Sequence, residues 1–332
     1  MRMALVGVGR IGSSHAEVVL ANPDVTELLI ADADVSRARE VADKLGVTAL
    51  GCVDDAFRDV DAVMIAAPTS VHAGLIVRGA RAGLPVFCEK PVALDVPSTV
   101  EVIDAVRQAG TQVHIGFHRR FDAGYRNARR ALREGELGDL HRVHLVTADP
   151  QPPHGSYIPH SGGIFRDCHI HDFDVLRWTT GREVVEVYAT GSNRGADFFR
   201  AAGDVDNSAA LLRLDGDVLV TMQGSRYNGG GYDVRMELAG SAGSLVVGLD
   251  ERTPVRSAEP GVRFPTGPPW PNFWERFTPA YAAEIDAFVD VALGRAASPC
   301  TVEEALAALY VAEAADRSRR EHRPVAVAEV MA

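Results

Sequence analysis

Over its first 117 residues the chain alternates short apolar runs with longer stretches in which apolar residues recur every three or four positions. The short runs are Met3–Val8, Glu27–Ala31, Ala62–Ala66, Pro85–Cys88 and Gln112–Phe117. They have the length and the Val, Ile, Leu and Ala content of strands covered on both faces. Between them, Ile11–Ala21, Val35–Leu45, Val71–Ala82 and Val96–Ala109 carry a helical period. Strands that alternate with helices in this way pair in parallel under crossovers, so an α/β first half is predicted.

Past Phe117 the alternation stops. A basic helix is predicted around Asp122–Arg133, then a strand at Leu140–Asp149 and a Pro-rich loop at Pro150–Pro153. Period-two patterning follows at Val184–Thr190, Ser208–Leu214, Val218–Ser225, Tyr232–Ala239 and Ser244–Val247, with turns at Asp215-Gly216 and Ser241-Ala242-Gly243. These elements predict a large, mostly antiparallel sheet with helices on one face, an α+β half. Pro279–Leu293 and Val302–Arg320 read as helices. Thr253–Pro271 is a Pro/Gly-rich loop without a period, a candidate subunit contact or lid. The change of pattern divides the chain into domains at 1–119 and 120–332, with the last helix packing back on the first.

Composition narrows the class. The 332 residues are 46% hydrophobic and 24% charged, with no apolar run of the roughly 20 residues that a membrane helix needs. The start, Met1 to Gly9, is too short and too interrupted by glycine for a signal peptide, so a cytoplasmic location is expected. Cys52, Cys88, Cys168 and Cys300 are scattered, which disfavours disulfides and a thiolate zinc site. A net charge of -11 disfavours nucleic acid as a partner. The cluster Arg119, Arg120, Arg126, Arg129, Arg130 and Arg133 reads as a solvated helix face or a subunit contact.

Gly7-Val8-Gly9-Arg10-Ile11-Gly12 follows the first apolar run and opens the first helix. Glycines there let the backbone approach a pyrophosphate, whose charge meets the free N–H groups of the helix N-terminus. Asp32 lies twenty residues past Gly12, where a carboxylate accepts from an adenosine ribose and repels a 2′-phosphate. Ala33 follows rather than Arg, so NAD is expected over NADP, with Arg37 a complication. Ala66, Ala67, Pro68, Thr69 and His72 end another strand, and Glu89-Lys90-Pro91 another; in open α/β sheets ligands bind beyond such carboxyl ends. Only Lys44 and Lys90 among 34 basic residues are lysines, a hint that Lys90 needs a compact ammonium.

The segment Ser161–Asp174 crowds three Asp and two His into an apolar stretch. As one continuous helix it would set Asp167, His171 and Asp174 on a shared face and turn His169 and Asp172 away. That geometry suits acid–base chemistry better than a metal cage, so no metal is expected.

These motifs together resemble the Gfo/Idh/MocA oxidoreductases, and within them the bacterial inositol dehydrogenases. The similarity runs through Gly7–Gly12, Glu89-Lys90-Pro91, Gly116–Asp122, Ser161–Asp174, Tyr232–Gly243 and Phe273-Trp274. It implies a Rossmann NAD-binding domain at 1–119 and a substrate-binding and oligomerisation domain at 120–332. It implies oxidation of a secondary alcohol on a sugar or cyclitol, in a homo-oligomer, dimer or tetramer. Lys90, Asp167 and His171 match the catalytic Lys, Asp and His, with His171 as general base, Asp167 orienting it and Asp174 in support. His154, Tyr157 and Tyr232 are candidate substrate contacts alongside these three. His118 is a candidate contact to nicotinamide or substrate. Three other readings compete: a relative acting on another sugar, a metal-dependent enzyme built on His169, His171, Asp172 and Asp174, and a non-catalytic NAD-binding regulator.

Overall fold

The computed structural model describes residues 1–331. The chain forms two compact units, Met1–His118 with Pro279–Ala307, and Arg119–Thr278 with Ala308–Ala332. The division is not a single cut, because residues 279–307 group with the first unit.

In the first unit the elements are β1 (Arg2–Val6), α1 (Arg10–Ala21), β2 (Glu27–Ala31), α2 (Val35–Leu45), β3 (Thr48–Ala49), β4 (Ala62–Ile65), α3 (Thr69–Arg81), β5 (Val86–Glu89), α4 (Val96–Ala109) and β6 (Val113–Gly116). The sheet order is β3-β2-β1-β4-β5-β6, with every pairing parallel. The apolar runs explain this: all four residues of β4 are buried, as are the last four of β1. Helix starts are fixed by polar side chains, Asp34 accepting from the Ser36 and Arg37 N–H groups and Asp95 from the Ser98 N–H. The order of strands across the sheet reverses between β1 and β4, which opens a crevice at their carboxyl ends.

The second unit contains α5 (Ala123–Arg133), β7 (Leu140–Ala148), α6 (Ile164–Asp167), α7 (Ile170–Thr180), β8 (Val184–Ser192), α8 (Asp197–Ala201), β9 (Asn207–Leu214), β10 (Leu219–Ser225), β11 (Asp233–Gly240) and β12 (Ser244–Val247). Two long helices, α9 (Phe273–Ala292) and α10 (Val302–Glu321), each contribute residues to both units, and β13 (Val325–Ala326) is the last strand of the described chain. Among the described residues the second sheet has the order β12-β11-β7-β10-β9-β8-β13. β7 and β10 pair in parallel and the other neighbours are antiparallel, so the sheet is mixed but mostly antiparallel, as patterned. One face is core, with Leu145, Val187, Leu212, Met222, Met236 and Leu238 buried. The other is open: Tyr188, Leu211 and Leu219 are 41%, 58% and 62% exposed.

The irregular segment 253–271 is tied down at both ends. Thr253 donates to the Gly248 carbonyl, the Trp270 indole donates to Asp250, and Arg252 stacks on the Trp270 ring.

Candidate active site

The turn after β1 is shaped by three glycines with different tasks. Gly7 has φ +92°, and a Cβ there would lie 2.6 Å from the Ala67 nitrogen. A Cβ at Gly12 would lie 2.0 Å from the Gly7 carbonyl oxygen, so this glycine lets α1 sit against the turn. A Cβ at Gly9 would meet nothing within 4 Å, which leaves open space where the backbone turns into α1. Gly9 is also the N-cap and makes no side-chain cap, so N–H groups of the first turn, among them that of Ile11, are left for an anion.

Asp32 follows β2 and is nearly buried. Its Oδ2 accepts from the Val8 N–H at 2.9 Å and its Oδ1 from the Asp34 N–H at 2.9 Å. The carboxylate is thereby fixed beside the glycine turn. Arg37 approaches Asp32 at 3.8 Å and Asp34 at 3.5 Å. Open space at Gly9, uncapped N–H groups and an anchored acid together fit a dinucleotide.

Ala66, Ala67 and Pro68 follow β4, and Thr69 opens α3. His72 is buried, its Nδ1 at 2.7 Å from the Pro91 carbonyl oxygen and its Nε2 at 2.7 Å from that of Ala67. Burial lowers its pKa against the pull of those two carbonyls. The ring thus ties the loop after β4 to the loop after β5. In that second loop Lys90 follows β5, the Lys90-Pro91 peptide is cis, and the Lys90 N–H lies 3.3 Å from Glu89 Oε2. Glu89 Oε1 lies 2.7 Å from Nε2 of His15, a fully buried residue of α1 that no motif in the sequence singles out. Its signal was position: His15 shares the buried face of α1 with Gly12, Ala16 and Val19. His118 is buried and stacks on Tyr281, ring centroids 4.4 Å apart at 22°.

In the second unit the Ser161–Asp174 segment departs from a continuous helix. It breaks into α6 and α7 at Cys168–His169, where the His169 N–H reaches back five residues to the Ile164 carbonyl and the His171 N–H only three, to Cys168. The break puts Asp167 in α6 and both His171 and Asp174 in α7. Asp167 ends α6, and its carboxylate takes the Tyr157 hydroxyl on Oδ1 at 2.9 Å and the Arg226 guanidinium on Oδ2 at 2.6 Å. His171 lies in the first turn of α7.

Asp174 does not join Asp167. It is fully buried and forked by Arg120, with Nε to Oδ2 at 2.9 Å and Nη2 to Oδ1 at 2.5 Å. Asp172 is equally buried, paired with Arg119 and accepting from Thr147 at 2.8 Å, with His169 Nδ1 at 2.7 Å from it. His169 Nε2 reaches Ser208 at 2.7 Å. Arg119 and Arg120 are therefore no part of a solvated face, since a carboxylate without water needs a partner of opposite charge. Farther along α5, Arg129 stacks on Trp178 and Arg130 pairs with Glu134 and Glu136. No three His, Cys, Asp or Glu side chains among the described residues converge on a metal-binding arrangement.

The remaining polar candidates differ in access. His154 is exposed, with Nδ1 2.8 Å from the Ser156 hydroxyl. Tyr157 is 43% exposed. Tyr232 is buried, edge-on to Phe277, and burial pushes its hydroxyl pKa up. Arg226 and Asp149 follow the ends of neighbouring strands and left no periodic signal in the sequence.

Comparison with known proteins follows the same outline. Residues 1–117 match the oxidoreductase family described as an NAD-binding Rossmann fold, and residues 125–246 match the GFO/IDH/MocA C-terminal domain. An inositol 2-dehydrogenase of Rhizobium meliloti (strain 1021) is 37% identical, over 99% of both chains. The crystal structure of a probable dehydrogenase from Thermotoga maritima superposes with TM-score 0.93 at 34% identity, covering 99% of this chain and 100% of that one. That of scyllo-inositol dehydrogenase from Lactobacillus casei, with bound NAD(H) and scyllo-inositol, superposes with TM-score 0.89 at 30% identity over 99% of each. No helix among the described residues is long and apolar enough to cross a membrane. The chain belongs to the GFO/IDH/MocA oxidoreductases, NAD-dependent enzymes with a Rossmann domain, and it acts on a CH–OH group.

Proposed function

We propose that the protein oxidises one secondary hydroxyl of inositol, or of a closely related polyol or sugar, to a ketone. The observation that carries this reading is the likeness, over 99% of both chains, to a dehydrogenase solved with NAD(H) and scyllo-inositol. Bound NAD supplies the hydride acceptor. The carbinol carbon loses hydride to it while the hydroxyl oxygen loses a proton, so alcohol and NAD+ become ketone, NADH and one proton.

The chain's own residues handle the oxygen. His171 takes the hydroxyl proton, a task suited to an imidazole whose ordinary pKa is near neutral. Lys90 donates to the same oxygen and stabilises the negative charge that builds on it. Asp167, held on Oδ1 by Tyr157 and on Oδ2 by Arg226, accepts from a neighbouring substrate hydroxyl and orients the imidazole. His154, Tyr157 and Tyr232 supply polar and aromatic contacts to the ring. Gly7, Gly9, Arg10, Ile11, Gly12 and Asp32 hold the adenosine and pyrophosphate half of the cofactor. Ala66, Ala67, Pro68, Thr69, His72, Glu89 and His118 form the nicotinamide side, His72 by tying two loops together.

A homo-oligomer, dimer or tetramer, accords with the exposed Tyr188, Leu211 and Leu219 on the open sheet face. A cytoplasmic location accords with dependence on the NAD pool. The test is an NADH absorbance assay against myo-, scyllo- and chiro-inositol and common hexoses, with Lys90→Met and His171→Ala alongside. Inositol turnover by the wild type, and its collapse in both variants with NADH binding kept, is expected. Hexose turnover alone would shift the substrate to another sugar; wild-type rates in either variant would overturn the mechanism.

A further inference from the structure

Arg226 is 3% exposed and follows β10, and it carries a charge into a cluster of acids. Its Nη2 donates to Asp167 Oδ2 at 2.6 Å and its Nη1 to Asp149 Oδ2 at 3.4 Å, while its Nε is buried with no acceptor. The backbone on which it sits is fixed by its own N–H, bonded to the Asp206 carbonyl at 2.8 Å. Around it stand Asp149 after β7, Tyr157 in the loop before α6, Asp167 and Cys168 at the α6–α7 break and Asp204 before β9. Cys168 Sγ reaches Asp149 at 3.7 Å. Burial pushes the Asp149 carboxyl up, against Arg226 and with the help of Asp167.

We infer that Arg226 is a positioning residue for the reaction: it bridges Asp149 and Asp167 and holds the Asp167 carboxylate charged and oriented for substrate. The inference rests on the role proposed above for Asp167. Nothing in the hydride transfer requires a guanidinium at this place, but Asp167, which the proposed reaction uses, is gripped on both oxygens. With Oδ1 held by the phenol and Oδ2 by the guanidinium, the plane of the Asp167 carboxylate is set. Arg rather than Lys fits because two carboxylates are reached from two nitrogens of one planar group. Asp167 then serves as an acceptor of hydrogen bonds, and the reaction's proton stays with His171.

The test compares Arg226→Met, Arg226→Lys and Asp167→Asn in steady-state oxidation of scyllo- or myo-inositol across pH, with NADH affinity measured by fluorescence. Arg226→Met should lower kcat about 10²-fold, the cost of a displaced catalytic group, with NADH affinity unchanged. Its acid limb of log kcat/KM should begin at higher pH and steepen from one proton to two, because Asp167 without the guanidinium takes up a proton as well. Arg226→Lys should recover part of kcat. A folded Arg226→Met protein with wild-type kcat and a one-proton acid limb would overturn the inference. If Arg226→Met does not fold, Arg226→Lys decides alone: lowered kcat with unchanged NADH affinity supports it, and wild-type kcat overturns it. Collapse of Asp167→Asn beside unaffected Arg226 variants sinks only the positioning role. Wild-type turnover by Asp167→Asn sinks the proposed mechanism and this inference with it.

Discussion

Arg119 and Asp172 form an ion pair from which water is excluded, with side chains 2% and 0% exposed. Burial alone would raise the Asp172 pKa, yet the Arg119 charge and the bonds from His169 and Thr147 outweigh it and hold the carboxyl below its ordinary value. A carboxylate held low in the folded state adds stability above its unfolded pKa, and that stability is lost as pH falls through the folded value. Asp172→Asn should therefore cost about 3–5 kcal/mol in urea unfolding at pH 7, as for other broken buried pairs. The deficit should begin to shrink below about pH 4, where the unfolded carboxyl takes up its proton, and go on shrinking as pH falls through the lower folded value. A deficit that stays constant down to pH 3 would contradict this account.

The neighbouring pair, Arg120 with Asp174, separates the cost of a broken partnership from the worth of the pair. Arg120→Met removes the guanidinium from a buried carboxylate and should destabilise by about 3–5 kcal/mol, whereas Arg120→Met combined with Asp174→Leu should recover most of that loss. Thermal unfolding of the two single variants and the double variant measures the coupling. Simple additivity would mean that the pair is not electrostatically linked.

Gly9 and Gly12 should respond oppositely to alanine. Gly12→Ala drives a methyl to within 2.0 Å of the Gly7 carbonyl, so the protein without cofactor should lose stability. Gly9→Ala meets nothing within 4 Å and has an ordinary backbone at φ -68°, so its melting temperature without NAD should match the wild type. Its NAD KM should rise, since the methyl enters the space assigned to the pyrophosphate. Calorimetry with and without NAD distinguishes the two, and unchanged cofactor affinity in Gly9→Ala would move the pyrophosphate elsewhere.

Asp32 both braces Val8 and, as proposed, binds ribose. Removing hydrogen bonds to a charged acceptor costs about 1.5–3 kcal/mol, so Asp32→Ala should raise the NAD KM roughly 10- to 100-fold and narrow the preference over NADP. Asp32→Asn, which can still accept from Val8, should lose discrimination with a smaller loss of NAD affinity. Equal use of NAD and NADP by the unmutated enzyme would overturn the reading of Asp32.

The first unit was legible because its signals are local. Apolar runs such as Ala62–Ile65 and a glycine turn such as Gly7–Gly12 declare strand and crossover from neighbours in sequence. The second unit hid more. Helical spacing placed Asp167 and Asp174 on one face, but the displaced hydrogen bonds at His169 and His171 divide them between two helices. Asp174 was then claimed by Arg120, 54 positions away. Arg119 and Arg120 looked like a solvated stripe for the same reason: the acids that bury them come from a distant helix. Arg226 gave no sign at all, since an arginine after a half-exposed strand is ordinary until its partners, Asp149 and Asp167, are seen beside it.

Ile285, Phe288 and Val289 of α9 belong to the same apolar cluster as Met3, Leu5, Ile30, Met64 and Phe87. A gene fragment that stops at residue 118 therefore encodes the complete nucleotide-binding sheet with one wall of its interior missing. The cofactor half of this enzyme is not a cassette that can be clipped from the front of the chain. A chimera that exchanges cofactor preference between relatives must carry residues 279–307 together with 1–118, or it will join two incompatible halves of one core.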